Sequence, residues 1–285
     1  MAQRIVVTGA AGQAGRAVVA DLRQHGYDVL ATDTVVSGDD RIEGMLKADL
    51  TDYGQAVEVL SEPGVGAVVH LANIPAPGLS TPAVTFNANM AMNFNVFQAA
   101  AAVKLSRVVW ASSETTLGLP FDTPPRYAPV DEEHYPVPTT TYALSKVASE
   151  TIAGHISEWS GIPFVALRFS NIMAPEDYEW LAGFRDDPQA RKWNLWGYID
   201  QRDVAQACRK ALEAPAAAVE GSPAFIIAAA DTVLARPSAE VLAEVFPGVK
   251  LTRDVGEHGT LLAIDRAREL LGFNPEYSWR DHLTP

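Results

Sequence analysis

Two residues four positions apart, Tyr142 and Lys146, give this chain its first sign of chemistry. On a helix they share a face. A free phenol ionises near pH ~10 and is a poor base at neutrality. A lysine ammonium beside it favours the phenolate and is expected to lower that value. The phenol can then take or give a hydroxyl proton while hydride leaves or reaches the same carbon. A third group should polarise the reacting oxygen. Ser112 and Ser113 close an apolar run, and a serine hydroxyl both donates and accepts. Serines at strand ends also act as simple caps, and residue type alone leaves the two roles open. Tyr-x-x-x-Lys recurs by chance, so it needs a second signal.

The second signal lies near the N-terminus, in Thr8-Gly9-Ala10-Ala11-Gly12-Gln13-Ala14-Gly15. Glycines at 9, 12 and 15 let a chain turn sharply from strand to helix. They bring backbone close to a pyrophosphate and pack helix against strand. Open N–H groups at the helix start favour the anion. Gly9, Ala11, Gly12, Gln13, Ala14 and Gly15 are therefore the expected dinucleotide cradle. Asp33 stands 18 positions beyond Gly15, where a carboxylate accepts from the adenosine ribose hydroxyls and repels a 2′-phosphate. That favours NAD over NADP, although Arg16 could reach a phosphate and a helix cap or turn role is the lesser reading of Asp33. Asp49 could bond the adenine amino group or cap a helix starting near Thr51.

The elements that must hold these groups read as strands and helices in alternation. Strands are expected at Arg4–Thr8, Tyr27–Asp33, Gly44–Leu50, Gly66–Ala72, Arg107–Ser112 and Pro163–Ser170. Helices are expected at Gln13–His25, Tyr53–Leu60, Pro82–Lys104 and Thr140–Ser160, with Pro120–Pro138 a Pro-rich loop before the last. Near-continuous apolar strands between helices predict a parallel sheet covered on both faces. The fold class is thus α/β, a Rossmann-type doubly wound parallel sheet with a small C-terminal substrate-binding portion. Residues 1–171 would form the core carrying Tyr142 and Lys146. Residues 172–285 would form the substrate-binding portion, interwoven with that core. It holds helices at Arg202–Ala214, Ser238–Val245 and Ile264–Leu271 and a strand at Ala224–Ala229.

Bulk properties narrow the partners. The formal charge of -13 opposes a nucleic-acid or anionic-membrane surface. No apolar run approaches the ~18 residues of a membrane span, and no leader precedes the first strand. The one cysteine, Cys208, allows no intrachain disulfide and reads as buried filler in a helix. The chain therefore reads as cytoplasmic. Its six histidines show no metal-ligand spacing, so no metal is expected.

With these pieces in order, the chain resembles the extended short-chain dehydrogenase/reductase superfamily, of the NAD-dependent epimerase/dehydratase type. The matching pieces are Thr8–Gly15, Asp33, Asp49-Leu50, His70-Leu71-Ala72-Asn73, Asn89, Ala111-Ser112-Ser113, Tyr142–Lys146 and Arg168–Asn171. The resemblance implies that Tyr142 is the acid/base, Lys146 holds the nicotinamide ribose and tunes the phenol, and Ser113 binds the substrate oxygen. Ser113 is the residue five positions before the strand-exit glycine, Gly118. Leu71, Ala72 and Asn73 would line the middle of the cofactor, with Leu50, Ala111 and Phe169 also against it and Asn89 behind the active site. Ile74, Ser112, Ser113, Glu114, Thr115 and Asn171 would face the substrate.

Departures from the family pattern bear on the substrate. The Asp-Glu pair of sugar-nucleotide dehydratases is replaced by Glu114-Thr115, which opposes dehydration. Thr252–Gly259 lacks the Arg-x-Gly-Asp grip of nucleotide-sugar enzymes. Thr8–Arg16, Ser112–Gly118 and Ser170–Tyr178 are similar to uronate dehydrogenases, from which Trp180–Trp196 differs as an insertion. In that insertion Trp180 and Trp196 could stack on a hydroxylated ring and Arg191 could clamp a carboxylate. The same residues could equally be a packed flap.

The leading expectation is an NAD-dependent oxidoreductase acting on a secondary alcohol or ketone of a small sugar-like or polyhydroxylated molecule, sugar acids among them. An epimerase of a sugar or nucleotide sugar, with tightly bound NAD, is the alternative. A non-catalytic dinucleotide sensor is disfavoured because Tyr142 and Lys146 are both present. The two long helices carry Met90, Met92, Phe94, Phe97, Ile152, Ile156 and Trp159, which suggests a homodimer; in this superfamily those helices commonly meet across a two-fold axis.

Overall fold

The computed structural model describes residues 3–36, 42–118, 120 and 123–282. Residues 121 and 122 of the Pro-rich stretch, and the first two residues ahead of the first strand, lie outside the described residues. The first half alternates as expected: β1 (Arg4–Thr8), α1 (Gln13–Gln24), β2 (Asp28–Asp33), β3 (Leu46–Lys47), α2 (Tyr53–Leu60), β4 (Val65–His70), α3 (Pro82–Val103) and β5 (Arg107–Ser113). A 3₁₀ turn at Glu114–Leu117 and a short β6 (Tyr127–Ala128) lead to α4 (Thr141–Ser160) and β7 (Phe164–Phe169). Then follow β8 (Ile172–Met173), α5 (Tyr178–Ala182), β9 (Ile199–Asp200), α6 (Gln201–Glu213), β10 (Ala224–Ile227), α7 (Ser238–Val245), β11 (Lys250–Leu251) and α8 (Asp265–Leu271).

Seven strands form one parallel sheet in the order β10-β7-β5-β4-β1-β2-β3. Side chains alternate across it, as the two-residue period of a strand requires. Ile5, Val7, Val69, Val109 and Val165 join one core with α1, α6 and α8. Val6, Val68, Val108, Trp110 and Phe164 join the other with α2, α3 and α4. Each such fully buried side chain contributes ~1.5–3 kcal/mol relative to exposure. Strand order reverses between β1 and β4. In open α/β sheets the crevice beyond the strand ends at such a reversal is where ligands sit.

The chain beyond residue 171 does not stand apart. β10 extends the main sheet beside β7, and α6 packs along α1. A further core gathers Tyr178, Trp196, Tyr198, Ile226, Leu262 and Trp279 beneath the end of the sheet.

Two differences from the sequence reading have local causes. The third strand was expected over Gly44–Leu50, but only Leu46 and Lys47 pair, with Thr32 and Asp33, at the exposed sheet edge. The chain then turns away: Asp49 N donates to Gln55 Oε1, and Asp49 Oδ1 accepts from Thr51 N and Thr51 Oγ1. The paired dipeptides β6–β11 and β8–β9 had no periodic signal, because two residues are too short to display one.

Candidate active site

The cleft begins where β1 turns into α1. Gly9 has φ +67°, and a Cβ there would lie 2.7 Å from Ala72 N. A Cβ on Gly15 would lie 2.1 Å from Gly9 O. Only glycine permits these approaches. Gly12 precedes α1 and offers no side-chain cap, so the first N–H groups of the helix are left to a ligand. Asp33, at the end of β2, accepts from Ala11 N through Oδ2 at 3.0 Å and from Val35 N through Oδ1 at 3.1 Å. Its carboxylate both orders the glycine turn and lines the cleft.

From there the cleft runs over the ends of β4, β5 and β7, enclosing about 1090 Å³. It takes in Gly9, Ala11, Gly12, Gln13, Ala14, Gly15, Leu50, Leu71, Ala72 and Asn73 on the cradle side. Ile74, Ala111, Ser112, Ser113, Glu114, Thr115, Tyr142, Lys146, Phe169 and Asn171 line the other part. Gln13 Nε2 and Asn73 Oδ1 are buried in this wall without a hydrogen-bond partner. Unsatisfied buried polar atoms in a cleft call for a polar ligand. An elongated crevice at the switch point, a cradle a Cβ would fill and an acid at the β2 end together fit NAD.

The chemical groups meet at the far end. Thr140 caps α4, accepting from Ala143 N, and so fixes the turn that carries Tyr142. The Ser113 hydroxyl stands beside the Tyr142 phenol and favours its ionised form. Ser113 Oγ also accepts from Thr115 N at 3.2 Å and Thr115 Oγ1 at 3.0 Å, which starts the 3₁₀ turn. One turn along α4, Lys146 Nζ donates to Ala111 O at 2.7 Å and lies 5.6 Å from the Tyr142 ring centre. The phenol, the hydroxymethyl and the ammonium therefore converge. Of the two serines, Ser113 is the one that faces Tyr142. Ser112 Oγ donates instead to Glu150 Oε1 at 2.6 Å, and Glu150 pairs with Arg168.

Burial sets the electrostatics. It pushes Tyr142 up to about 12, with the Glu114 charge adding to the rise and the Ser113 hydrogen bond opposing it. It pushes Lys146 down to about 7, opposed by Glu150. The sequence reading had the ammonium lowering the phenol. In this arrangement desolvation of the phenol, not the ammonium, dominates. Glu114 is raised to about 7 by burial, against Ser170, Asn194 and Arg191. His70 is lowered to about 3 by burial and by Lys146. It bridges Thr8 Oγ1 at 2.7 Å and Asn93 Oδ1 at 3.0 Å, and Asn93 Nδ2 reaches Ser149 on α4.

Five expected contacts fall elsewhere. Asp49 is taken up by its own turn to Thr51, outside the cleft, and the α2 cap is Asp52. Asn89 clasps both backbone groups of Ile74, positioning a cleft loop without lining the cleft. Trp180 is 56% exposed and edges Phe184. Trp196 is fully buried against Phe246, because the positive φ of Leu195 and Trp196 turns the chain inward. Arg191 Nη2 donates to Asn171 Oδ1 and Gly197 O and is withdrawn from the cleft. The residue of that segment that does line the cleft is Trp193, joined by Ser170, Thr140 and Pro120. Ser170 lies between Phe169 and Asn171, and Thr140 two positions before Tyr142, so closeness to residues marked from the sequence was the available signal. Among the described residues no group of three or more His, Cys, Asp or Glu could hold a metal ion. No described helix is long and apolar enough to cross a membrane.

Comparisons with known proteins agree with this geometry. Residues 5–228 match the NAD dependent epimerase/dehydratase family. A UDP-glucose 4-epimerase of Lacticaseibacillus casei is 27% identical over 98% of this chain and 94% of its own length. An NAD-dependent glucose-6-phosphate dehydrogenase of Haloferax volcanii is 29% identical over 65% of this chain and 78% of its own length. A solved structure of a mutated uronate dehydrogenase shares the fold at TM-score 0.70 and 22% identity, covering 99% of this chain and 86% of that one.

Proposed function

This chain belongs to the NAD-dependent epimerase/dehydratase family of enzymes, and from that premise we propose that it is an oxidoreductase acting on a secondary alcohol, or the matching ketone, of a small polyhydroxylated substrate. The observation that carries this reading is the Ser113 hydroxyl beside the Tyr142 phenol, with Lys146 one helical turn away, at the end of a glycine-cradled crevice. When bound, NAD supplies the hydride acceptor. The side chains handle the proton. Ser113 Oγ and Tyr142 Oη hold the reacting hydroxyl between them. Tyr142 Oη takes its proton as the carbonyl forms, and Ser113 donates to the same oxygen. Lys146 places a positive charge beside the phenol and favours its ionised form. Asp33 selects a free adenosine ribose, so NAD is preferred to NADP.

The test is NADH absorbance with a panel of sugars and sugar derivatives. Tyr142→Phe should lower kcat by at least ~10²-fold while leaving NAD affinity intact. Unchanged turnover in that variant would remove Tyr142 from the mechanism. The end-to-end likeness to a UDP-glucose 4-epimerase supports a second reading, epimerisation. Protein purified with NAD already attached, and giving no net NADH, would favour it.

The same reading assigns residues 172–285 to the substrate side. It takes the active form as a homodimer joined through α3 and α4, on which Phe94 and Trp159 are exposed. It places the enzyme in a reducing cytoplasm, consistent with a single, buried Cys208.

A further inference from the structure

Beyond Ser113 the cleft wall carries Glu114, Thr115, Ser170, Asn171 and Trp193. Glu114 is 3% exposed. Asn194 Nδ2 stands 3.4 Å from its Oε1, a long contact. Glu114 Oε2, Ser170 Oγ and Asn194 Oδ1 make no well-formed hydrogen bond. Of these, Glu114 and Ser170 belong to the cleft lining and give it a polar surface open to a partner. Asn171 has its orientation fixed from behind. A guanidinium can only donate, so Asn171 turns Oδ1 toward Arg191, at 2.9 Å, and its NH₂ is the group left to offer.

The charges are equally one-sided. Among the described residues that line the cleft, Asp33, Glu114 and Lys146 are the charged ones. Asp33 stands at the cradle end, and Lys146 Nζ is held by Ala111 O. Arg191 is 3% exposed and shut among the rings of Trp180, Phe184 and Trp193, 5.4–5.8 Å from their centres. The substrate end therefore presents a buried acid and no available guanidinium.

The geometry points to an uncharged polyhydroxylated substrate: Glu114 accepts from one hydroxyl, the Asn171 amide donates to another, and the Trp193 indole covers the C–H face of the ring. A carboxylate or phosphate on the substrate would meet Glu114, while the Arg191 guanidinium is shut behind the wall and cannot reach it, which a low-dielectric site penalises. This selects neutral sugars and cyclitols over uronic acids and sugar phosphates. It rests on the preceding reading for where the substrate reacts.

Ligand-observed NMR on the NAD-loaded protein tests it, using three pools at equal concentration: neutral aldoses and cyclitols, uronic acids, and sugar phosphates. The neutral pool should bind about tenfold or more tighter than either charged pool. Glu114→Gln should weaken the neutral pool about tenfold through loss of a charge-assisted bond, with NAD affinity unchanged. Tighter binding by a charged pool, no binding by the neutral pool, or a Gln variant that binds like the parent overturns the assignment. If the variant loses NAD affinity, the ranking of pools on the parent protein decides. NADH formation from the same pools is read separately. Neutral binding without NADH would sink the oxidoreductase reading and leave the substrate class standing.

Discussion

Glu114 and Tyr142 oppose each other's ionisation across the cleft wall, because each would add a second negative charge to a buried site. Arg191 faces Glu114 from the other side but does not offset its burial, and the carboxyl rises to about 7. The consequence for stability has a definite sign. The folded value lies above the ordinary 4.5, so the folded protein binds more protons than the unfolded chain between those limits. The parent should therefore lose stability relative to Glu114→Gln as pH rises from 4.5 through 7, by up to ~3 kcal/mol. Denaturant titrations of both proteins at pH 5 and pH 8 measure the difference; an equal loss in both would show that the carboxyl is not buried as described. At this scale the sequence identified Tyr142, Lys146 and Ser113, because their chemistry depends on residue type and a four-residue spacing. It did not identify Trp193 or exclude Trp196. In an irregular segment the direction of a side chain is set by turns such as those at Leu195 and Trp196, which no periodicity announces.

Four elements are joined by one buried chain of hydrogen bonds. Thr8 at the end of β1 meets His70 at the end of β4, His70 meets Asn93 on α3, and Asn93 meets Ser149 on α4. Thr8 Oγ1 accepts from Leu71 N and Ala72 N, so its proton goes to His70 Nδ1 and the other ring nitrogen donates to Asn93. This fixes the tautomer and ties the cofactor turn to the helix bearing Tyr142. Asn93→Ala would strand His70 Nε2 and take one bond each from Ser149 and Asn73, which keep those to Ser145 O and Ala72 O. It should destabilise the protein by ~1–3 kcal/mol for each polar group left unsatisfied, seen as a lower denaturant midpoint. A midpoint within error of the parent would mean the chain of bonds carries no net stability. The two helices it joins were legible from apolar periodicity and caps, and the long strands from their near-continuous apolar runs. The network was not, since it joins residues 62, 23 and 56 positions apart through contacts that only the assembled fold creates.

At the scale of the molecule, α3 and α4 pack on each other within one chain, burying Phe97 and Ile156 that the sequence had offered to a partner. Phe94 at 46% and Trp159 at 67% remain outside. If they meet a second copy, light scattering should give about twice the 30.6 kDa of one chain. Introducing Phe94→Arg and Trp159→Arg should return it to a single chain with NAD affinity retained. A monomeric parent would end the two-fold expectation. The sheet holds another consequence. Its outermost strand on one side is β10, and the helix shielding α1 is α6, whose last carbonyls are gripped by Arg107 on β5. The glycine turn leaves the ribosome well ahead of the layer that supports it, which is made of residues past 200. During synthesis the dinucleotide crevice can only mature once α6 has emerged, so a nascent chain halted before residue 200 would hold the signature residues without the pocket they define.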